Sequence, residues 1–424
     1  MNKEALCQRF QEVRQQSNTL CDPLEIEDYV IQSIDDVSPP KWHLAHTTWF
    51  FETFILAKYL PTYQSFDPSF RYLYNSYYQG IGTPFPRVKR GLLSRPTVAT
   101  IYAYRKHVDQ ALIALAKEAS AELLLELDPL IILGLHHEQQ HQELLLMDIK
   151  HNFAIDPNFP CYQESTELNS PSKSARLQFI ETEGGLIDIG YKQGDFCFDN
   201  ELPVHKKFLS PYAIATQLVT NGEYLAFIKD GGYEDPRWWL ADGWDTVLKN
   251  HWQAPNYWHN QDNEWLIFTL NGLKPLDEQE PVSHISFYEA DAYARWCGAR
   301  LPLEEEWEHF VNLHNLDSTK ANFMETGLFH PQAASNNNGA LAQQFFGELW
   351  EWTASPYSAY PGYTPLSGEL AEYNGKFMTN QMVLRGGSCA TPASHIRSSY
   401  RNFFQPEKRW QFSGIRLAKS INKG

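Results

Sequence analysis

The chain has few cysteines and no cysteine pairs. Its six (Cys7, Cys21, Cys161, Cys197, Cys297, Cys389) are scattered without a C-x-x-C spacing. That argues against a disulfide framework and fits a reducing cytoplasm. Long apolar runs are missing too, since none reaches the roughly 18–20 residues that a membrane span needs. The N-terminus, MNKEALCQRFQEVRQQS, is charged and amphipathic, with no apolar core or cleavage site, so it does not read as a secretory signal. Basic residues are in deficit: 35 Lys and Arg stand against 51 Asp and Glu, a formal net charge of −16. An acidic chain repels phosphate backbones, which excludes nucleic acid as an expected partner. There is no internal repeat and no low-complexity tract. The expectation is a cytoplasmic protein without membrane or nucleic-acid partners, and a homo-oligomer stays open.

Aromatics are abundant, with 13 Trp, 22 Tyr and 25 Phe in 424 residues. They suit a packed core and ligand-lined pockets, though a core alone would account for them. The length implies two or three domains. Residues 1–152 read as helical. EALCQRFQEVRQQSNTL has apolar positions at helical spacing. HLAHTTWFFETFILAKYL follows Pro39-Pro40 and is closed by Pro61. RPTVATIYAYRKHVDQALIALAKEA and LDPLIILGLHHEQQHQELLLMDIKH complete four long helices, for which an antiparallel bundle is the default arrangement. Residues 153–176 are rich in Pro, Ser and polar side chains and read as a linker. From 177 to 424 the strands are short and turns frequent. GGLIDIGY, FLSPYAIATQLVTN and MVLRGGS read as strands or strand–turn pieces; SFYEADAYARWCGARL and LEEEWEHFVNL read as short helices. The expected fold is therefore α+β in two domains, a four-helix bundle followed by a loop-rich α+β domain.

The run His137-Glu138-Gln139-Gln140-His141 fits H-E-x-x-H. Residues i and i+4 share one helical face, so His137 and His141 can ligate one metal. Neither a downstream third His nor a downstream Glu follows at zinc-protease spacing. His43 and His46, three residues apart in KWHLAH, also share a face. One of them with His137 and His141 would make a three-His site between two bundle helices, with coordination positions left open. Such a site suits iron(II) with substrate and O2, or zinc with water. On spacing alone this competes with ordinary hydrogen-bonded core histidines.

Six motifs in order resemble the iron-dependent sulfoxide synthases of ergothioneine biosynthesis: SPPKWHLAHTTWFFETF, YNSYYQGIG, HEQQHQELLLMDIKH, GELWEWTASPY, YNGKFMTNQMVLRGGSCATP and RSSYRNFFQPEKRWQFSGIRLA. The resemblance spans nearly the whole chain. It implies a DinB-like bundle joined to a C-type-lectin-like domain similar to formylglycine-generating enzymes. The implied chemistry joins a cysteine-type thiol to imidazole C2 of N-α-trimethylhistidine (hercynine), using Fe(II) and O2, and yields a sulfoxide. It implies His46, His137 and His141 as iron ligands, and leaves Glu138 without a protease role. Tyr77 and Tyr78 match a pair near the iron that can supply a proton. Arg87 and Arg90 match residues that hold the thiol substrate's carboxylate, for which a planar guanidinium fork is suited. Gln140 matches a contact to the histidine derivative. Asn402, Phe403 and Phe404 match a loop that closes over the substrates. The branch using γ-glutamylcysteine has an acidic residue where Phe404 stands, so cysteine is the favoured donor. Selenoneine synthases share the plan with a selenosugar. Ovothiol-type synthases usually carry an additional methyltransferase domain, for which 424 residues leave no room. Cys389, alone beside RGGS, reads as a small buried residue rather than a nucleophile, which disfavours formylglycine-type chemistry. A metal- or ligand-binding protein without catalysis is the alternative of a different class.

Overall fold

The computed structural model describes residues 2–164, 177–335 and 341–421. The chain divides into two compact units, Met1–Gln163 with Ser367–Glu372, and Glu164–Leu366 with Tyr373–Gly424. Among the described residues no helix is long and apolar enough to cross a membrane.

The first unit is built on four long helices. Helix α1 spans Lys3–Thr19 and is capped by the Asn2 side chain, which accepts from the Ala5 N–H. Helix α2 spans Pro40–Phe51, with proline where the first turn has no use for an N–H. It continues through a π-turn, Glu52–Leu56, into a last turn at Ala57–Tyr59. Helix α3 spans Val98–Glu118 behind a Thr97 cap. Helix α4 spans Ala121–Ile155 behind a Ser120 cap.

Helix α4 begins before the stretch that periodicity marks, because the Ser120 cap outweighs Pro129. That proline removes one hydrogen bond, from the carbonyl of Leu125. Leu125 is 78% exposed, so its turn lies where water can serve the freed carbonyl. At its other end α4 runs three residues into the segment read as a linker. Residues 165–176 of that segment lie outside the described residues. Helices α1 and α2 each pack against both α3 and α4. Gly134 lets α2 close on α4, since a Cβ there would lie 2.5 Å from the Phe51 ring.

The second unit is sheet-rich, as the short strands and frequent turns suggest. One three-stranded sheet orders Phe179–Thr182, Tyr212–Ala215 and Ala418–Ser420. A four-stranded sheet orders Asn402–Phe404, Met382–Arg385, Trp350–Pro356 and Ser413–Gly414. Two antiparallel ribbons, Gly185–Ile189 with His205–Leu209 and the meander over 258–275, complete the strands among the described residues. Two helices, Phe287–Trp296 and Glu304–Leu313, sit where the sequence places them. The core gathers Leu209, Tyr212, Ile214, Trp307, Phe310 and Phe345.

Charged residues of the C-terminal motifs are scaffold. Glu351, between Trp350 and Trp352, is fully buried; it accepts two bonds of 2.8 Å from Arg416 and one of 2.7 Å from the Trp307 indole. Glu304 takes a forked pair from Arg401 and a third bond from Arg385. Buried charges persist where they are paired and hydrogen-bonded in this way. Cys389 is fully buried, and its N–H donates to the Glu348 carbonyl.

Candidate metal centre

Helix α2 supplies His46 and helix α4 supplies His137 and His141. One ring nitrogen from each lies within 4.8 Å of the others. The one-turn spacing on α4 and the close α2–α4 contact at Gly134 bring the three rings together. His46 is fully buried and lies between two indoles, stacked on Trp42 at 4.6 Å and on Trp49 at 5.6 Å.

A hydrogen bond settles which nitrogen of His46 faces inward. The Nδ1 of His46 donates to the Tyr74 carbonyl at 2.6 Å, and a carbonyl can only accept. Its Nε2 therefore carries a lone pair. That nitrogen is buried with no hydrogen-bond partner, the condition of a ligand atom rather than of a satisfied core histidine. Burial, then the charge of His137, pushes the His46 pKa well below its usual value. Burial also takes His137 down to about 3 and His141 well down. All three imidazoles are neutral at neutral pH, the form that binds a metal. Three neutral nitrogen donors without a carboxylate fit a divalent transition metal and leave positions for other ligands.

Around the triad the other predicted residues are distributed as follows. Tyr78 is fully buried and its ring meets Trp49 at 5.7 Å and Phe54 at 5.1 Å. Tyr77, half-buried, stacks on Tyr78 at 4.4 Å and donates its hydroxyl to the Tyr78 oxygen at 3.3 Å. Arg90 is buried, with its guanidinium 3.3 Å from the Trp42 ring centre. It donates to the hydroxyls of Ser38 and Ser76, while its Nε has no partner. No carboxylate pairs with it among the described residues, and burial disfavours its charge. Arg87 is exposed and donates to the Asp36 carbonyl. Gln140 is half-buried on α4, next to His141.

Asn402, Phe403 and Phe404 belong to the second unit. The loop implied by the motif is instead an edge strand, paired in register with Leu384, Val383 and Met382. Two aromatic contacts straighten it: Phe403 stacks on Tyr357 at 4.0 Å and Phe404 packs edge-on against Trp410.

Asp148 escaped the sequence reading, and His43 takes a different role from the one considered there. His43, considered as an alternative ligand, turns away from the triad's interior. Its Nδ1 meets the Nδ1 of His141 at 2.8 Å and its Nε2 meets Asp148 Oδ2 at 2.9 Å. Asp148 follows His141 by seven residues on α4, two turns along one face, which is the signal that could have found it. Glu138 is clamped by Arg14, Arg105 and Ser17. His136 bonds Arg9 of α1 and stands off the metal face.

Residues 9–145 match the DinB superfamily, and residues 165–421 match the sulfatase-modifying factor enzyme 1-like domain. A hercynine oxygenase of Mycobacterium tuberculosis is 30% identical over 408 residues, covering 91% of this chain and 92% of its own. The chain belongs to the hercynine oxygenase family. A second hercynine oxygenase, from Mycolicibacterium smegmatis, is 33% identical over 68% of this chain and 71% of its own. A formylglycine-generating enzyme of Thermomonospora curvata is 26% identical, over 61% of this chain. The family alignment with the tuberculosis relative thus spans bundle and sheet-rich unit together.

Proposed function

We propose that this hercynine oxygenase relative forms a C–S bond between cysteine and imidazole C2 of hercynine, with iron(II) held by His46, His137 and His141. The balance is simple. The thiol loses its S–H hydrogen and the imidazole its C2–H hydrogen. O2 accepts four electrons, places one oxygen on sulfur as the sulfoxide, and leaves the other as water. When bound, iron(II) supplies the one-electron chemistry that lets O2 react with the two substrates.

What carries this reading is a buried guanidinium with no carboxylate partner among the described residues, in the unit that holds three neutral imidazoles. Arg90 is always a cation, and it stacks on the same indole as His46. A substrate carboxylate on Arg90 would satisfy it and set the thiol near the triad. Arg87, one 3₁₀ turn earlier, adds positive charge close to Arg90. Gln140 contacts hercynine, and the Tyr77–Tyr78 hydroxyls pass a proton toward the oxygen being reduced. The YRNFFQP motif carries the family resemblance for Asn402, Phe403 and Phe404 as substrate-binding residues. Phe404 offers no carboxylate to a glutamyl amine, so free cysteine is the donor.

The test is anaerobic loading with iron(II), then O2 with hercynine and a thiol. Cysteine should give O2 uptake and a sulfoxide; γ-glutamylcysteine and a selenosugar should be poor. No uptake and no sulfoxide would reduce the protein to a metal- or ligand-binding role. Arg90→Leu should raise the KM for cysteine about 100-fold, within the roughly 2–5 kcal/mol of a truncated buried charge pair. An unchanged KM would remove Arg90 from the thiol site.

A further inference from the structure

Asp148 and His43 form a hydrogen-bonded relay to His141 whose polarity can be read from the backbone. Both are buried, at 1% and 3% exposure. Asp148 Oδ2 takes two contacts, the Ser38 N–H at 2.8 Å and His43 Nε2 at 2.9 Å. A backbone N–H can only donate, and an ionised carboxylate can only accept. His43 Nε2 is therefore a donor, and in the neutral ring its Nδ1 becomes an acceptor. The next contact, 2.8 Å between the Nδ1 atoms of His43 and His141, then has one direction: His141 donates. With its proton on Nδ1, His141 presents the Nε2 lone pair to the triad.

We propose that Asp148 and His43 are positioning residues that lock His141 in the tautomer able to bind the metal. This rests on the reading of the triad as a metal site. Metal-bound histidines commonly donate their second N–H to a carboxylate directly. Here a second imidazole stands between, which extends the reach of Asp148 and carries its orientation across the α2–α4 seam. Ser38 extends the chain further. Its N–H holds Asp148 while its hydroxyl accepts from Arg90 at 2.9 Å. The guanidinium proposed for the thiol's carboxylate and a metal-facing histidine thus share one chain: Arg90, Ser38, Asp148, His43, His141.

Cobalt(II) titration of the full-length apoprotein, followed by its visible absorption, reads the relay without turnover. Asp148→Leu keeps the side chain's shape and removes the acceptor. It should weaken cobalt(II) binding about 10–100-fold, the usual effect of losing such an outer partner. Asp148→Asn should stay within a few-fold of wild type, because the Ser38 N–H selects the amide oxygen for that position and preserves the polarity. A purely packing role would treat the two variants alike. Wild-type affinity and spectrum in Asp148→Leu would overturn the relay, as would equal losses in the two variants. If Asp148→Leu does not fold, His43→Phe replaces it; it removes the acceptor for His141, and full affinity there overturns the proposal. Failure of the wild-type protein to bind cobalt(II) would instead sink the metal-site reading itself.

Discussion

A His46→Ala protein is expected to retain no bound iron(II) and to make no sulfoxide. The two histidines left sit one turn apart on a single helix, and two ligands from one face do not enclose a metal. The loss should exceed the about 10–100-fold expected for an outer partner such as His43 or Asp148. Folding should suffer far less. The ring removed contributes its stacking between Trp42 and Trp49 and one hydrogen bond, to the Tyr74 carbonyl, and its other nitrogen has no partner to lose. Iron content after anaerobic loading, O2 uptake and a thermal melt together separate these effects. Full iron and full turnover in His46→Ala would return the third-ligand question to His43. The geometry argues against that outcome, since both ring nitrogens of His43 are engaged, by His141 and by Asp148.

The bundle and its histidine face were legible because they depend on local spacing. His137 and His141 are one helical turn apart, and the α2 segment announces itself through Pro39-Pro40 before it and Pro61 after it. The distinction between His43 and His46 was not legible from spacing, since the two are three residues apart on a helix buried on every side. It depends on where the Tyr74 carbonyl and Asp148 lie, 28 and 105 residues away in sequence. The same holds for the second unit. The WEW and GIR motifs count toward the family resemblance, but their charged residues are structural: Glu351 and Arg416 are each other's partners across 65 residues. The edge strand at 402–404 is set by cross-strand pairing and by the Tyr357 ring, neither visible from YRNFFQP alone. The joining of Ser367–Glu372 to the helical unit has a similar origin: the Glu372 carboxylate accepts the N–H groups of Gln79 and Gly80, nearly 300 residues earlier.

Glu138→Leu should leave the protein's chemistry definable and its stability badly reduced. In a zinc protease the glutamate of H-E-x-x-H would be a general base facing the metal. Here Glu138 is fully buried and turned toward α1 and α3, with Oε2 bonded to Arg14 at 2.8 Å and Oε1 to Ser17 at 2.6 Å and Arg105 at 3.0 Å. Arg14 has a second carboxylate, Asp109. Removing Glu138 strands Arg105 and half-strands Arg14 in the interior, and breaking one side of such a cluster costs about 3–5 kcal/mol. Burial opposes the ionised carboxylate, but Arg14 and Arg105 outweigh it and hold the pKa below the ordinary glutamate range. The sign follows from linkage. A depressed carboxylate contributes stability above the unfolded value of about 4.3, and that contribution is lost as pH falls through the lower folded value. Urea unfolding at pH 7 should show the deficit in Glu138→Leu. Wild type should approach the variant as acid protonates Glu138, so the gap narrows below about pH 4. A variant as stable as wild type but without turnover would put Glu138 back into the chemistry. Reduced stability with cobalt(II) binding intact in the folded fraction would show that this H-E-x-x-H glutamate ties α4 to α1 and α3.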